Sequence, residues 1–162
     1  EMTWLLIVLG VAVVVSPLMW FRQSPRQKLI TELRRSAGIA GLQVSLYRRP
    51  DAREEETRLE CVCYRIPWLD EDCRQDWVLH RFSRRGWDSV CPGWLWTINQ
   101  AAPEWDAVLA DQMKDFPAGV SALIATPAGI GVIWNERDDS ADLEKIVDNL
   151  KKFQRHAKEI CR

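Results

Sequence analysis

Hydrophobic and polar positions alternate along this chain in three distinct periods. From Met2 to Phe21 no charge interrupts twenty positions. At 1.5 Å rise per residue that stretch is about 30 Å long, the hydrocarbon thickness of a bilayer. Trp4 at one end, and Trp20 with Phe21 at the other, fall where amphipathic rings favour the headgroup level. The segment reads as a retained membrane anchor over residues 1–22. A secretory signal peptide is the competing reading, but the run has no basic leading region and no small-x-small cleavage pattern after it.

Helical spacing follows. Ser24 reads as an N-cap, Pro25 as the first helical residue, and Gln27 as the partner that completes a capping box. Leu29, Ile30, Leu33 and Ala37 trace one face, and Gly38 is the expected C-cap of a basic amphipathic helix over 23–38. Strand-like alternation then appears at 42–46, 58–66, 77–82 and 94–98. Pro103 and Glu104 open a helix with Trp105, Val108, Leu109, Met113 and Phe116 on one stripe. The run 119–126 is apolar on both faces, and turn residues lead from it into 130–134, a hairpin. From Ser140 to Ile160 a last helix carries Leu143, Ile146, Val147, Leu150, Phe153, Ala157 and Ile160, with acidic residues early and basic residues late. These elements predict an α+β domain over 39–162, with a mainly antiparallel sheet and helices packed on one face.

Charge sets the orientation. Arg22, Arg26, Lys28, Arg34 and Arg35 crowd the residues after the span, so the N-terminus is expected outside and the domain in the cytoplasm. The same five side chains are candidate contacts for anionic lipid, or simply topology-setting charges on a helix that packs on its own domain. The net charge of −1 over 162 residues gives no general attraction to nucleic acid. Five cysteines, an odd number, suit a reducing compartment.

Candidate chemistry is sparse. Cys61, Cys63, Cys73 and Cys91 supply four sulfurs, but Cys61 and Cys63 sit at i and i+2 of a strand, not on a zinc-binding turn, and read as core residues. Cys161, beside the C-terminus, reads as inert. His80 and His156 are the only histidines, and nothing local activates Cys91 as a nucleophile near His80. Asp70, Glu71, Asp72 and Asp76 read as a solvated acidic loop, because the run lacks the spaced oxygens of a calcium site. No catalytic residue, metal site or cofactor is assigned. Trp87, Trp94 and Trp96 are either part of the core or an aromatic interaction surface.

The segments from Met2, from Ser16 to Trp20, from Ser24 to Lys28 and from Gly41 to Val44 carry a resemblance. Over about the first 45 residues the chain resembles bacterial single-pass inner-membrane proteins that bear the label preprotein translocase subunit YajC. The likeness lies in a span followed by a basic helix. The domain here departs from that group in being longer and more helical, with only two glycines between Ser36 and Gly41. The resemblance implies a bacterial inner-membrane location. Together these readings lead to a membrane-tethered accessory or interaction protein, without catalysis of its own, that meets lipid and a membrane-protein partner. The alternative is a membrane-associated thiol or metal-dependent protein built on the cysteines.

Overall fold

The computed structural model describes residues 1–20, 22, 24–57 and 60–161. It divides into two compact units, Glu1–Glu32 and Leu33–Arg162. In the first, α1 (Met2–Trp20) exposes every residue, and it is long and apolar enough to cross a membrane. A span and a signal sequence both meet that description.

The capping box at the start of α2 (Pro25–Ile39) forms as the sequence requires. The Gln27 backbone N–H donates to Ser24 Oγ, and the Ser24 N–H donates back to Gln27 Oε1, each at 3.2 Å. The helix end differs from expectation: it runs through Gly38 and stops at Gly41. There φ is +93°, the Leu42 N–H bonds the Ala37 carbonyl at 2.9 Å, and the Gly41 N–H bonds the Gly38 carbonyl at 3.1 Å. This is a Schellman closure, which places its left-handed residue three positions beyond the second of the two carbonyls it satisfies. Gly38 is an interior helical residue.

The second unit is an α+β fold. Among the described residues seven strands form one antiparallel sheet in the order β1-β2-β7-β6-β3-β5-β4. They are β1 (Gln43–Arg48), β2 (Glu60–Ile66), β3 (Trp77–His80), β4 (Trp87–Asp88), β5 (Leu95–Thr97), β6 (Val120–Thr126) and β7 (Gly129–Trp134). The predicted hairpin is β6–β7, at the centre, paired in unbroken register from Ala122 with Ile133 to Thr126 with Gly129. Gly129 has φ +150°, and a Cβ there would run into the Ile66 carbonyl, so only glycine lets β7 turn in beside β2. The short strand β4 has no counterpart in the sequence reading. The predicted strand start at Arg58 lies outside the described residues.

One sheet face carries the main core. Tyr64, Trp77, Leu79, Leu123, Ile130, Val132 and Trp134 point toward α3 (Asp106–Gln112) and α4 (Ser140–Ile160), with 3-10 turns on either side of α3. The predicted stripes are buried there: Trp105, Leu109, Met113 and Phe116 from the α3 segment, and Leu143, Ile146, Leu150, Phe153 and Ala157 from α4. Trp105 is the hub, with ring centroids 5.1 Å from Trp77, 5.3 Å from His156, 6.2 Å from Trp68 and 6.3 Å from Phe153. The opposite face holds a smaller cluster of Val78, Ala122, Ile124 and Ile133, flanked by Tyr47, Cys61 and Phe82.

Candidate functional site

The basic residues do not act as one set. Arg22, Arg26 and Lys28 are exposed, as a lipid-facing role requires. Arg34 is committed elsewhere, which corrects the lipid-facing reading for that residue. Its guanidinium donates from Nε to Glu136 Oε2 at 2.8 Å and from Nη2 to Oε1 at 2.7 Å. Tyr64 Oη donates to the same carboxylate at 2.7 Å. Glu136 is buried in the turn after β7 at φ +56°, so two charge-assisted contacts hold a side chain on a backbone conformation that glycine would favour. Burial, together with the Glu136 carboxylate, pushes the Tyr64 phenol well above its ordinary value. Arg35 is exposed. Of the aromatic belt, Trp4 and Trp20 are exposed, while Phe21 lies outside the described residues.

The tryptophan surface is corrected as well. Trp94 and Trp96 are buried at 5% and 4% exposure, and Trp96 meets Trp77 edge-on at 5.7 Å. Arg81 stacks over Trp94 at 4.7 Å, and its guanidinium reaches the carbonyls of Pro117, Ala118 and Val120 beside the register shift of β6. Of these three, Trp87 alone is substantially exposed, and its indole N–H donates to Gln100 Oε1 at 2.9 Å.

The thiols do not converge on a histidine. Cys63, Ile133, Ala122 and His80 lie in one cross-sheet row. Cys63 and His80 are thus three strand spacings apart, about 14 Å. Burial pushes the Cys63 thiol up to about 11 and raises Cys61 and Cys91 also, which leaves all three protonated near neutrality. His80 is fully buried with both ring nitrogens engaged: Nε2 contacts the Arg85 carbonyl at 2.7 Å, and Nδ1 accepts from the Phe82 N–H at 3.3 Å. Cys91 starts a turn closed by the Trp94 N–H, with Gly93 at φ +83°. Among the described residues no group of three or more His, Cys, Asp or Glu side chains is placed to hold a metal ion. Glu71, Asp72 and Asp76 are exposed, and Asp70 accepts from the Asp72 N–H at 3.0 Å.

Cys161 is not inert. It forms a disulfide with Cys73, 88 residues away, with the two Cα atoms 5.4 Å apart. The bond ties the end of α4 to the β2–β3 connection.

The loop after β1 is organised by charge. Asp51 is buried and accepts from Arg49 Nε and Nη2 at 2.8 and 2.7 Å and from Ser83 Oγ at 2.7 Å. Arg85 reaches the Asp51 carbonyl at 3.0 Å and both Glu56 oxygens, at 3.1 and 2.9 Å. Arg49 also covers the Phe82 ring at 4.7 Å. These contacts pin residues 49–56 to the β3–β4 connection at the rim of the second face. The Arg49 hydrogen bonds, opposed by burial and aided by Ser83, hold Asp51 down at about 2.

Outside these networks, and among the described residues, the sheet has one long edge that no further strand pairs. β1 pairs only with β2, over six consecutive residues, and Leu46 on it is 68% exposed. β1 has no proline and ends in a single Arg48, whereas the opposite edge, β4, is only two residues long. Natural sheets usually blunt an edge of β1's length with charge, proline or a bulge. Tight pairing with β2 leaves its outer backbone groups facing away from the fold. Comparison of this chain with protein families, curated proteins and solved structures gives no match.

Proposed function

We propose that this protein is a membrane-tethered interaction domain, without catalysis of its own, and an accessory subunit of a bacterial inner-membrane complex. The observation that carries this reading is the open β1 edge on a folded domain whose chain also includes a span-length apolar helix. Tethering raises the local concentration of such an edge for neighbours in the same membrane. The expected occupant is an extended segment of a membrane-protein partner, which would add as an eighth strand beside β1 and cover Leu46. Basic residues next to the span support a cytoplasmic domain, with Arg22, Arg26 and Lys28 near the lipid surface.

The test is co-purification of full-length protein from native membranes in mild detergent, comparing the wild type with Leu46→Lys. Leu46 is exposed, so the fold should persist, while a lysine on the edge blocks strand addition. A stoichiometric membrane partner lost in the variant supports the proposal. Recovery of the wild type alone, or of a self-paired dimer, would defeat it.

The Cys73–Cys161 bond favours a second reading of the topology, in which the domain sits on the oxidising side of the membrane. Reporter fusions after Ile160, one active only in the cytoplasm and one only outside it, separate the two orientations. Either orientation leaves the β1 proposal intact.

A further inference from the structure

The connection between β2 and β3, residues 67–76, is anchored near both ends and stapled once in its middle. Trp68 is 8% exposed and donates its indole N–H to the Thr126 carbonyl at 2.7 Å, and Trp77 is buried where β3 begins. Between these anchors, and among the described residues, the segment 69–74 makes only internal hydrogen bonds. The Asp72 N–H reaches Asp70 Oδ1 at 3.0 Å, and the Cys73 N–H reaches the Asp70 carbonyl at 3.2 Å. Leu69, Glu71, Asp72 and Arg74 are exposed, and Cys73, at 1%, is the one buried side chain of the segment. Its disulfide to Cys161 is therefore what fixes 69–74 to the fold. Gln75 adds a 3.9 Å contact from Nε2 to Cys161 Sγ. On the other side of the bond, Cys161 is half-buried at the end of α4, whose hold on the core comes from earlier residues, Ile146, Leu150, Phe153 and Ala157.

Two observations conflict if that bond is permanent. A disulfide persists in an oxidising compartment, whereas the basic residues after the span support a cytoplasmic domain, where thiol systems keep cysteines reduced. They agree if the bond opens and closes. We propose that Cys73 and Cys161 form a redox strap: oxidised, it holds the acidic flap 69–74 to the end of α4, and reduced, it frees both while the core stays folded. The strap rests on the cytoplasmic placement proposed above and is independent of the β1 edge. Its reductant is a protein dithiol of the thioredoxin class. One thiolate of that dithiol attacks Cys161 Sγ, the more exposed sulfur, and the Cys73 sulfur leaves with the bonding pair and takes up a proton. The second thiol of the reductant, deprotonated, then displaces Cys161, which is protonated in turn. Two electrons and two protons have passed to the protein, and the reductant carries the disulfide. A small-molecule disulfide runs the same exchange in reverse and closes the strap.

The experiment uses the oxidised full chain in phosphatidylcholine nanodiscs, with thioredoxin, its reductase and NADPH as the probe. Alkylation with mass mapping locates the thiols without denaturant, and hydrogen exchange follows the backbone. Thioredoxin should make Cys73 and Cys161 alkylatable, and oxidised glutathione should reverse this. Exchange should quicken roughly tenfold or more at the amides of Asp72 and Cys73 and in the last turn of α4, with β6 and β7 unchanged. Cys73→Ser/Cys161→Ser should show that same pattern with or without thioredoxin. Three results overturn the proposal: a bond that thioredoxin leaves intact until denaturant is added, reduction that speeds exchange across β6 and β7, or reduction that leaves 69–74 as protected as before. The reporter fusions after Ile160 test the placement by themselves, so a domain found outside the cytoplasm refutes the placement, whereas failure in the nanodisc refutes the strap.

Discussion

Trp105 and Trp77 offer a paired substitution in which packing and hydrogen bonding predict opposite rankings. Trp105 is wholly buried against four aromatic rings, whereas Trp77 meets two, its contacts being Trp96 and Trp105. Packing alone makes Trp105→Phe the more damaging change. The indole nitrogens reverse this. Trp77 Nε1 donates to Gln75 Oε1 at 3.0 Å, but Trp105 Nε1 is buried with no partner among the described residues. Shrinking either ring to phenylalanine should cost about 1–2 kcal/mol, well below the 3–5 of a full truncation to alanine. At Trp105 that cost is offset by roughly 1–3 kcal/mol, because an unsatisfied buried donor disappears. At Trp77 the lost hydrogen bond adds about 1 kcal/mol to the damage. Trp105→Phe is thus expected near neutral and Trp77→Phe at about 2–3 kcal/mol destabilising. For a domain of this size the gap corresponds to about 8 °C in thermal midpoint. Near-UV circular dichroism on heating, with urea unfolding for the free energies, measures both. If Trp105→Phe proves the less stable of the two, the orphan-donor argument fails and ring packing governs this core.

Three further outcomes follow from the charged and sulfur-bearing residues. The Arg49 hydrogen bonds hold the Asp51 carboxyl at about 2 in the fold against an ordinary aspartate value of 3.8, so it contributes about 2 kcal/mol that is fully present above pH 4 and is lost as pH falls toward 2. Asp51→Asn should flatten the acid-unfolding profile across that window, and an unchanged profile would remove Asp51 from the account. Tyr64→Phe deletes the 2.7 Å hydrogen bond to buried Glu136 and should cost about 1.5–3 kcal/mol, seen as a lower urea midpoint at constant slope. Thiol titration in denaturant should find three reactive cysteines without reductant and five after reduction. In the native state Cys63 alkylation should stay slow at pH 8 and quicken only as pH approaches 11.

How much of this was legible in the sequence depended on range. Signals that act within one turn or one strand were readable: the Ser24–Gln27 box, the stripes of α4 and the α3 segment, and the β6–β7 hairpin all formed where spacing placed them. Gly38 was misassigned as a cap because two glycines lay three residues apart, and only the backbone geometry at Gly41 separates them. β4 escaped because two residues are too short for a period of two to register. The tryptophans near β5 were ambiguous because exposure depends on what packs above a strand, here Trp77 above Trp96 and Arg81 above Trp94.

The site residues were harder to read because their partners are distant. Arg34 finds Glu136 across 102 residues, and Tyr64 reaches it across 72, so neither pairing leaves a local mark. Arg34 therefore looked like one more basic residue beside a membrane, although its bidentate bond to a buried carboxylate gives it a structural role. The cysteines make the same point through counting. An odd number excludes complete pairing, but it does not exclude one bond with three thiols left over, which is the observed arrangement. In the chain-entropy picture a closed loop of 88 residues is worth up to about 4–5 kcal/mol. That is a large share of the stability of a domain this size. The inference from cysteine number to a reducing compartment therefore rested on the weakest property of the set, while burial and pairing carry the physical information. Cys61 and Cys63 behave as apolar filling in a sheet, Cys91 fills the core from the turn before β5, and Cys73 and Cys161 behave as a strap on α4.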